Sequence, residues 1–157
     1  MQSTKPDSSL DIVQKSFTPG RIFYLFCNFT TPPKFKFLLL VCNVGKPIFF
    51  VINSEINDFI IKREHLYRCQ VMIRGEDHKC LKEEFSYINC AEAIDRITVQ
   101  EVIEQCVNID MTRIKEMINN EERNNVVNAV NDSETISAMD KKRILDCLAK
   151  APLVASP

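Results

Sequence analysis

The sequence predicts an α+β fold in which a mostly β N-terminal part forms a small barrel and a helical segment follows it. Apolar runs at Ile22–Phe26, Phe37–Cys42 and Ile48–Asn53 succeed one another at short spacing with turn residues between them. After Arg96 the apolar period changes from that of strands to that of helices. A chain of 157 residues is long enough for one ordinary domain, or a compact domain with a helical appendage, and too short for two large ones.

Residues 1–16 carry Pro6 and several serines, with Leu10, Ile12 and Val13 as their apolar cluster, and read as a flexible N-terminal arm. Residues 17–96 read as the barrel. Pro19-Gly20 is a turn that delivers the chain into the first strand, and breakers at Thr30–Pro33, Gly45–Pro47 and Arg74–Asp77 separate later ones. The Asn43–Pro47 connection is short enough for a hairpin, and Gly75 marks another. Further strands are expected at Cys69–Ile73 and Tyr87–Cys90, with a short piece at Phe59–Ile61. The first three runs are apolar throughout, whereas a strand with one wet face would alternate. Their outer face must therefore be covered, by the C-terminal helices or by a second subunit. Cys69–Ile73 alternates better and is placed nearer an edge.

Residues 97–150 read as the helical segment packed on the barrel. Val99, Val102, Ile103, Cys106 and Val107 follow a helical period, and Thr98-Val99-Gln100-Glu101 has the form of a capping box. Met111, Ile114, Met117 and Ile118 predict a second helix, and Val126, Val127 and Val130 a third. Ile136, Met139, Ile144, Cys147 and Leu148 predict a fourth, capped by Ser137 and ending before Pro152; residues 151–157 form a tail.

Composition closes several routes. Lys plus Arg number 20 and Asp plus Glu 21, so a net charge of -1 leaves no global attraction to nucleic acid or to an anionic membrane. Any RNA contact must come from a local patch. The longest apolar run, Phe37–Cys42, is too short to span a bilayer, and the N-terminus is polar, so a soluble, cytoplasmic protein is expected. The seven cysteines, an odd number spread along the chain, fit a reducing compartment. The tightest Cys/His grouping, His65, Cys69, His78, Cys80 and Cys90, lacks the paired spacing of structural zinc sites, and no metal or cofactor is expected. With three glycines there is no phosphate loop, dinucleotide fingerprint or nucleophile elbow. His65 and His78 sit in polar stretches and read as solvated; Glu83-Glu84 and Glu121-Glu122 read as solvated faces.

The candidate site is basic and polar: Arg21, Lys34, Lys36, Asn53 and Ser54. Lys34 and Lys36 flank Phe35 at the mouth of a buried strand, and Asn53-Ser54 lies where the next strand ends. Metal-free RNA cleavage needs a group to take the 2′ proton, and a cation or donors to hold the phosphorane charge. Lysine supplies charge and serine a hydrogen bond. The competing reading makes both lysines gatekeepers beside an aggregation-prone strand.

Phe17-Thr18-Pro19-Gly20-Arg21-Ile22-Phe23-Tyr24 resembles the opening of MazF/PemK-type toxins, where a Pro-Gly-Asp turn leads into the first barrel strand. Lys36-Phe37-Leu38-Leu39-Leu40-Val41 takes the place of that family's Arg-Pro strand, and Phe50-Val51-Ile52-Asn53-Ser54 that of the strand ending in Thr or Ser. Ser86–Cys90 is similar to the late strand, and the helices after Thr98 resemble the C-terminal helical segment. The resemblance implies an SH3-like barrel, a homodimer and an antitoxin partner. It also implies metal-independent cleavage of single-stranded RNA, with Lys36 at the catalytic Arg position and Ser54 at that of the assisting Thr or Ser. Arg21, Lys34 and Asn53 are then the RNA-binding candidates. Arg21 stands where the family has an acidic residue, Lys36 for Arg and Phe37 for Pro. Two other readings remain: a non-catalytic barrel that binds a protein, and a DNA-binding helical module over Thr98–Asn131. The second has few cations to support it, among them Arg113, Lys115 and Arg123.

Overall fold

The computed structural model describes residues 5–152 and 154. Its framework is a single antiparallel sheet of β1 (Arg21–Cys27), β2 (Lys34–Cys42), β3 (Ile48–Asn53), β4 (Gln70–Arg74), β5 (Phe85–Asn89) and β6 (Ile114–Met117), in the order β4-β5-β3-β2-β1-β6. The sheet curls into a half-barrel, and among the described residues six helices complete an α+β fold: α1 (Lys5–Ser16), α2 (Asp58–Ile61), α3 (Glu64–Tyr67), α4 (Val99–Ile103), α5 (Asn120–Asp132) and α6 (Ala138–Lys150).

The sheet starts at the Pro19-Gly20 turn. Gly20 holds a φ of 100°, a left-handed conformation that disfavours a side chain, and its N–H donates to Leu40 O at 2.7 Å while its C=O accepts from Ile118 N at 2.8 Å. One residue thus joins the start of β1 to β2 and to the end of β6.

The unbroken apolar character of β1–β3 follows from burial on both faces. Leu39 and Val41 of β2, Ile48, Phe50 and Ile52 of β3 and Ile22 of β1 pack with Val126 and Val130 of α5 and Ile144, Cys147 and Leu148 of α6. The alternate residues Leu38, Leu40, Phe49, Phe23 and Leu25 pack on the other face with Val13 of α1, Ile94, Ile97, Val102 and Cys106. The chain covers the sheet with its own helices, so a second subunit is not needed for that purpose. β4 has the alternating pattern of an edge strand, with Val71 and Ile73 buried and Met72 exposed.

Several local expectations are met where capping chemistry is strong. Thr98 Oγ1 accepts from Glu101 N, completing the capping box of α4, and Ser137 Oγ accepts from Asp140 N at the start of α6. Beyond Ile103 the α4 helix widens into a π-helical stretch over Glu104–Ile109.

Three segments differ from expectation. The part of the arm that is described forms α1, whose Val13 is buried and which leads into Phe17, a ring 6.0 Å from Phe23 and 6.4 Å from Phe49. Residues 1–4 lie outside the described residues, as do 153 and 155–157 of the tail. Phe59–Ile61 is helical rather than extended, because Asn57 Oδ1 accepts from Ile60 N at 2.9 Å and caps a short turn. The expected helix at Met111–Ile118 is a turn followed by β6. Asp110 accepts from Thr112 N and tightens the chain at Met111–Arg113, and Ile114–Met117 then pairs with β1, satisfying backbone groups that an edge strand would leave bare. The tail is tied down as far as it is described: Asn120 exchanges two hydrogen bonds with Val154, and Arg123 donates to Ala151 O and Pro152 O.

Candidate functional site

The β1–β2–β3 register decides what meets at the end of the sheet. Phe37 opposes Ile52 and Leu25 opposes Lys36, so Lys36 and Asn53 are neighbours on adjacent strands. Lys36 Nζ donates to Asn53 Oδ1 at 3.1 Å. Burial lowers the pKa of Lys36, and the charge of Lys34 lowers it further. Lys34 itself is exposed at the start of β2, where its N–H donates to Thr30 Oγ1.

On the opposite face of the same strands, side chains two apart form an aromatic platform. Tyr24 opposes Phe37 and Phe26 opposes Phe35 across β1 and β2. Tyr24 stacks on Phe35 with ring centroids 5.0 Å apart and 14° between planes, lies 4.6 Å from Phe37, and Phe26 meets Phe35 edge-on at 5.3 Å. Phe26 and Phe35 remain exposed. The Arg113 guanidinium sits 4.8 Å from the Phe35 centroid, a cation held over a ring.

A groove of about 790 Å³ runs along this platform. Tyr24, Phe35 and Phe37 line it together with Lys82 and Lys115, against the carboxylates of Glu55 and Glu83, and Lys34 and Lys36, whose side chains leave β2 on the other face, border it at the sheet end. Asn53 and Ser54 line it as well. Four of the five candidate residues, Lys34, Lys36, Asn53 and Ser54, therefore share one groove. Arg21 does not. Its guanidinium donates to Ser16 O at 3.2 Å and Lys115 O at 3.1 Å, tying the end of α1 to β6. Both contacts hold it within the fold, outside the groove.

Beside the groove lies a buried ionic cluster that the sequence reading assigned to solvent. His78 is 2% exposed and Glu122 5% exposed. His78 Nε2 lies 2.7 Å and 2.9 Å from the two carboxylate oxygens of Glu122, and Nδ1 lies 3.1 Å from Glu116 Oε2. Burial pulls the imidazole down, but the hydrogen bonds and charges of Glu122 and Glu116 outweigh it and hold His78 above its ordinary pKa. Cys80, which lines the groove, donates to Glu116 Oε2 at 3.4 Å, and burial with that carboxylate pushes its thiol up to about 12. The cluster thus positions one wall of the groove and offers no thiolate nucleophile.

One sequence signal pointed to part of this cluster. Asn119 and Glu122 have capping-box spacing, and both halves of that box are formed at the start of α5. That spacing separates Glu122 from its solvated neighbour Glu121. Nothing local marks His78, whose partners are 38 and 44 residues away. His65 is exposed, as expected.

Among the described residues no group of three or more His, Cys, Asp or Glu side chains is placed to hold a metal ion, and no helix is long and apolar enough to cross a membrane. No family model matches the chain, and neither the curated proteins nor the solved structures contain a match.

Proposed function

We propose that the groove along Tyr24, Phe35 and Phe37 binds single-stranded RNA, and that the chain is a MazF/PemK-like endoribonuclease on an SH3-like barrel. The observation that carries the reading is a stacked aromatic platform with Lys82 and Lys115 beside it and Lys34 and Lys36 bordering the same groove at the sheet end, in a chain whose net charge is -1. Unpaired bases stack on aromatic rings, and a local run of cations tracks the backbone phosphates. A duplex presents no exposed base faces, so this arrangement favours single strands.

In this reading Lys36 contacts the phosphate at the cut site. Its lowered pKa leaves it nearer to proton exchange than an ordinary lysine, and as a cation it offsets charge building on the phosphorane. Asn53 orients the ammonium through its 3.1 Å contact, and Ser54 on the same rim offers a hydroxyl. The toxin-like reading extends to a homodimer and a protein antitoxin, which co-purification and light scattering test directly.

A second reading, RNA binding without cleavage, is favoured by the shortage of bases: neither histidine lines the groove. A protein-binding role for the same groove is the remaining alternative. Purified protein incubated with single-stranded RNA in EDTA separates these. Cleavage that Lys36→Ala abolishes supports the nuclease. Binding without cleavage supports the second reading. A wild type that neither binds nor cuts removes RNA as the ligand.

A further inference from the structure

A second groove, of about 450 Å³, lies around the sheet end and includes Lys36, Asn53 and Asn57, all three of which also line the first. The two grooves therefore meet at the Lys36–Asn53 contact. The second groove repeats the chemistry of the first with different residues. Phe59 and Phe29 line it with Arg96, and each ring carries a cation: Arg63 lies 3.6 Å from the Phe59 centroid and Arg96 5.8 Å from that of Phe29. Phe59 is 59% exposed, so part of its ring surface is open to a ligand. Glu92 is the carboxylate among the lining residues.

We infer that a single RNA strand crosses the sheet end at Lys36 and continues into this second groove, with a base on Phe59 and a phosphate at Arg96. The inference rests on the RNA reading of the first groove and adds to it a path, a polarity-independent minimum length and a second stacking station. Lys36 then sits in the middle of the bound strand rather than at its end. A phosphate there has stacked bases anchored on both sides, which holds it in register for whatever chemistry the site performs.

The test compares a short probe of about four nucleotides with a long one of about ten, within the site sizes common for single-strand binding. Both are 2′-O-methyl oligouridines, which cannot be cut at the 2′ oxygen, and binding is read by fluorescence anisotropy. Wild type should bind the long probe at least about tenfold more tightly, the gain expected from one further stacked base. Phe59→Ala with Arg96→Ala should remove most of that gain and leave short-probe affinity within about twofold. Both side chains are exposed, and an unchanged melting temperature checks that the variant is folded. A length advantage retained by the double variant overturns the inference, as does an equal loss for both probes. Wild type that binds the short probe and gains nothing from length also overturns it, leaves the first groove's RNA reading intact, and makes a peptide the next ligand to try in the second. Failure of wild type to bind either probe instead sinks the RNA reading on which the inference rests.

Discussion

Replacing His78 by alanine removes a cation that the buried carboxylate of Glu122 faces. Glu122 keeps the Asn119 N–H, which its Oε1 accepts at 2.8 Å, but loses a partner at 2.7 Å in a place where its side chain is 7% exposed. A charge-assisted hydrogen bond contributes about 1.5–3 kcal/mol, and breaking a buried ion pair from one side costs about 3–5 kcal/mol. The retained Asn119 contact places the expected loss near the lower end, about 3 kcal/mol. Glu116, with 36% of its side chain exposed, turns to water and adds little. The chain lacks tryptophan, so unfolding in urea is followed by circular dichroism. With a slope of about 2 kcal/mol per molar, the midpoint should fall by about 1.5 M. Because the folded-state pKa of His78 is raised, its stabilisation is fully present below the ordinary histidine pKa and is lost as pH rises through the raised value. The gap between wild type and His78→Ala should therefore narrow toward alkaline pH. A midpoint shift below about 0.3 M, or a gap that stays constant across that range, would refute the account of this cluster as a charged latch.

Lys36, with its lowered pKa, should lose charge at a lower pH than an ordinary lysine, so affinity for 2′-O-methyl RNA should fall early on the alkaline side. Lys34→Ala removes a like charge and should move that limb to higher pH; an unmoved limb refutes the coupling. Salt dependence of RNA binding should show a slope consistent with several phosphate contacts, and Lys82→Ala should reduce it by about 0.7 while an unchanged slope places the strand elsewhere. At Gly75 an added Cβ would lie 2.1 Å from the backbone oxygen of Glu83, so Gly75→Ala should cost about 2 kcal/mol or more in thermal unfolding, and a neutral effect would mean the loop shifts freely.

Expectations succeeded where a feature is written in neighbouring residues. β3 begins and ends where its apolar run does, Thr98 and Ser137 cap the helices their side chains predict, and the Pro19-Gly20 turn is built as read. Lys34, Lys36, Asn53 and Ser54 share a groove because consecutive antiparallel strands bring the start of β2 beside the end of β3. Those outcomes follow from local capping, periodicity and hairpin connection.

The tertiary structure alone decided the rest. Ile114–Met117 has apolar spacing that suits a helix, yet the bare edge of β1, 93 residues earlier in chain from Arg21 to Ile114, recruits it as a strand. Arg21 stands in a motif that points toward RNA, but backbone oxygens from Ser16 and Lys115 hold it in the fold. His78 and Glu122 look solvated in sequence because each has polar neighbours, and their burial depends on α5 folding back over the loop after β4. In each case at least one deciding partner is distant along the chain, as Lys115 is for Arg21, so its electrostatic and hydrogen-bonding demands leave no local pattern, and only the packed arrangement determines which polar groups meet water and which meet each other.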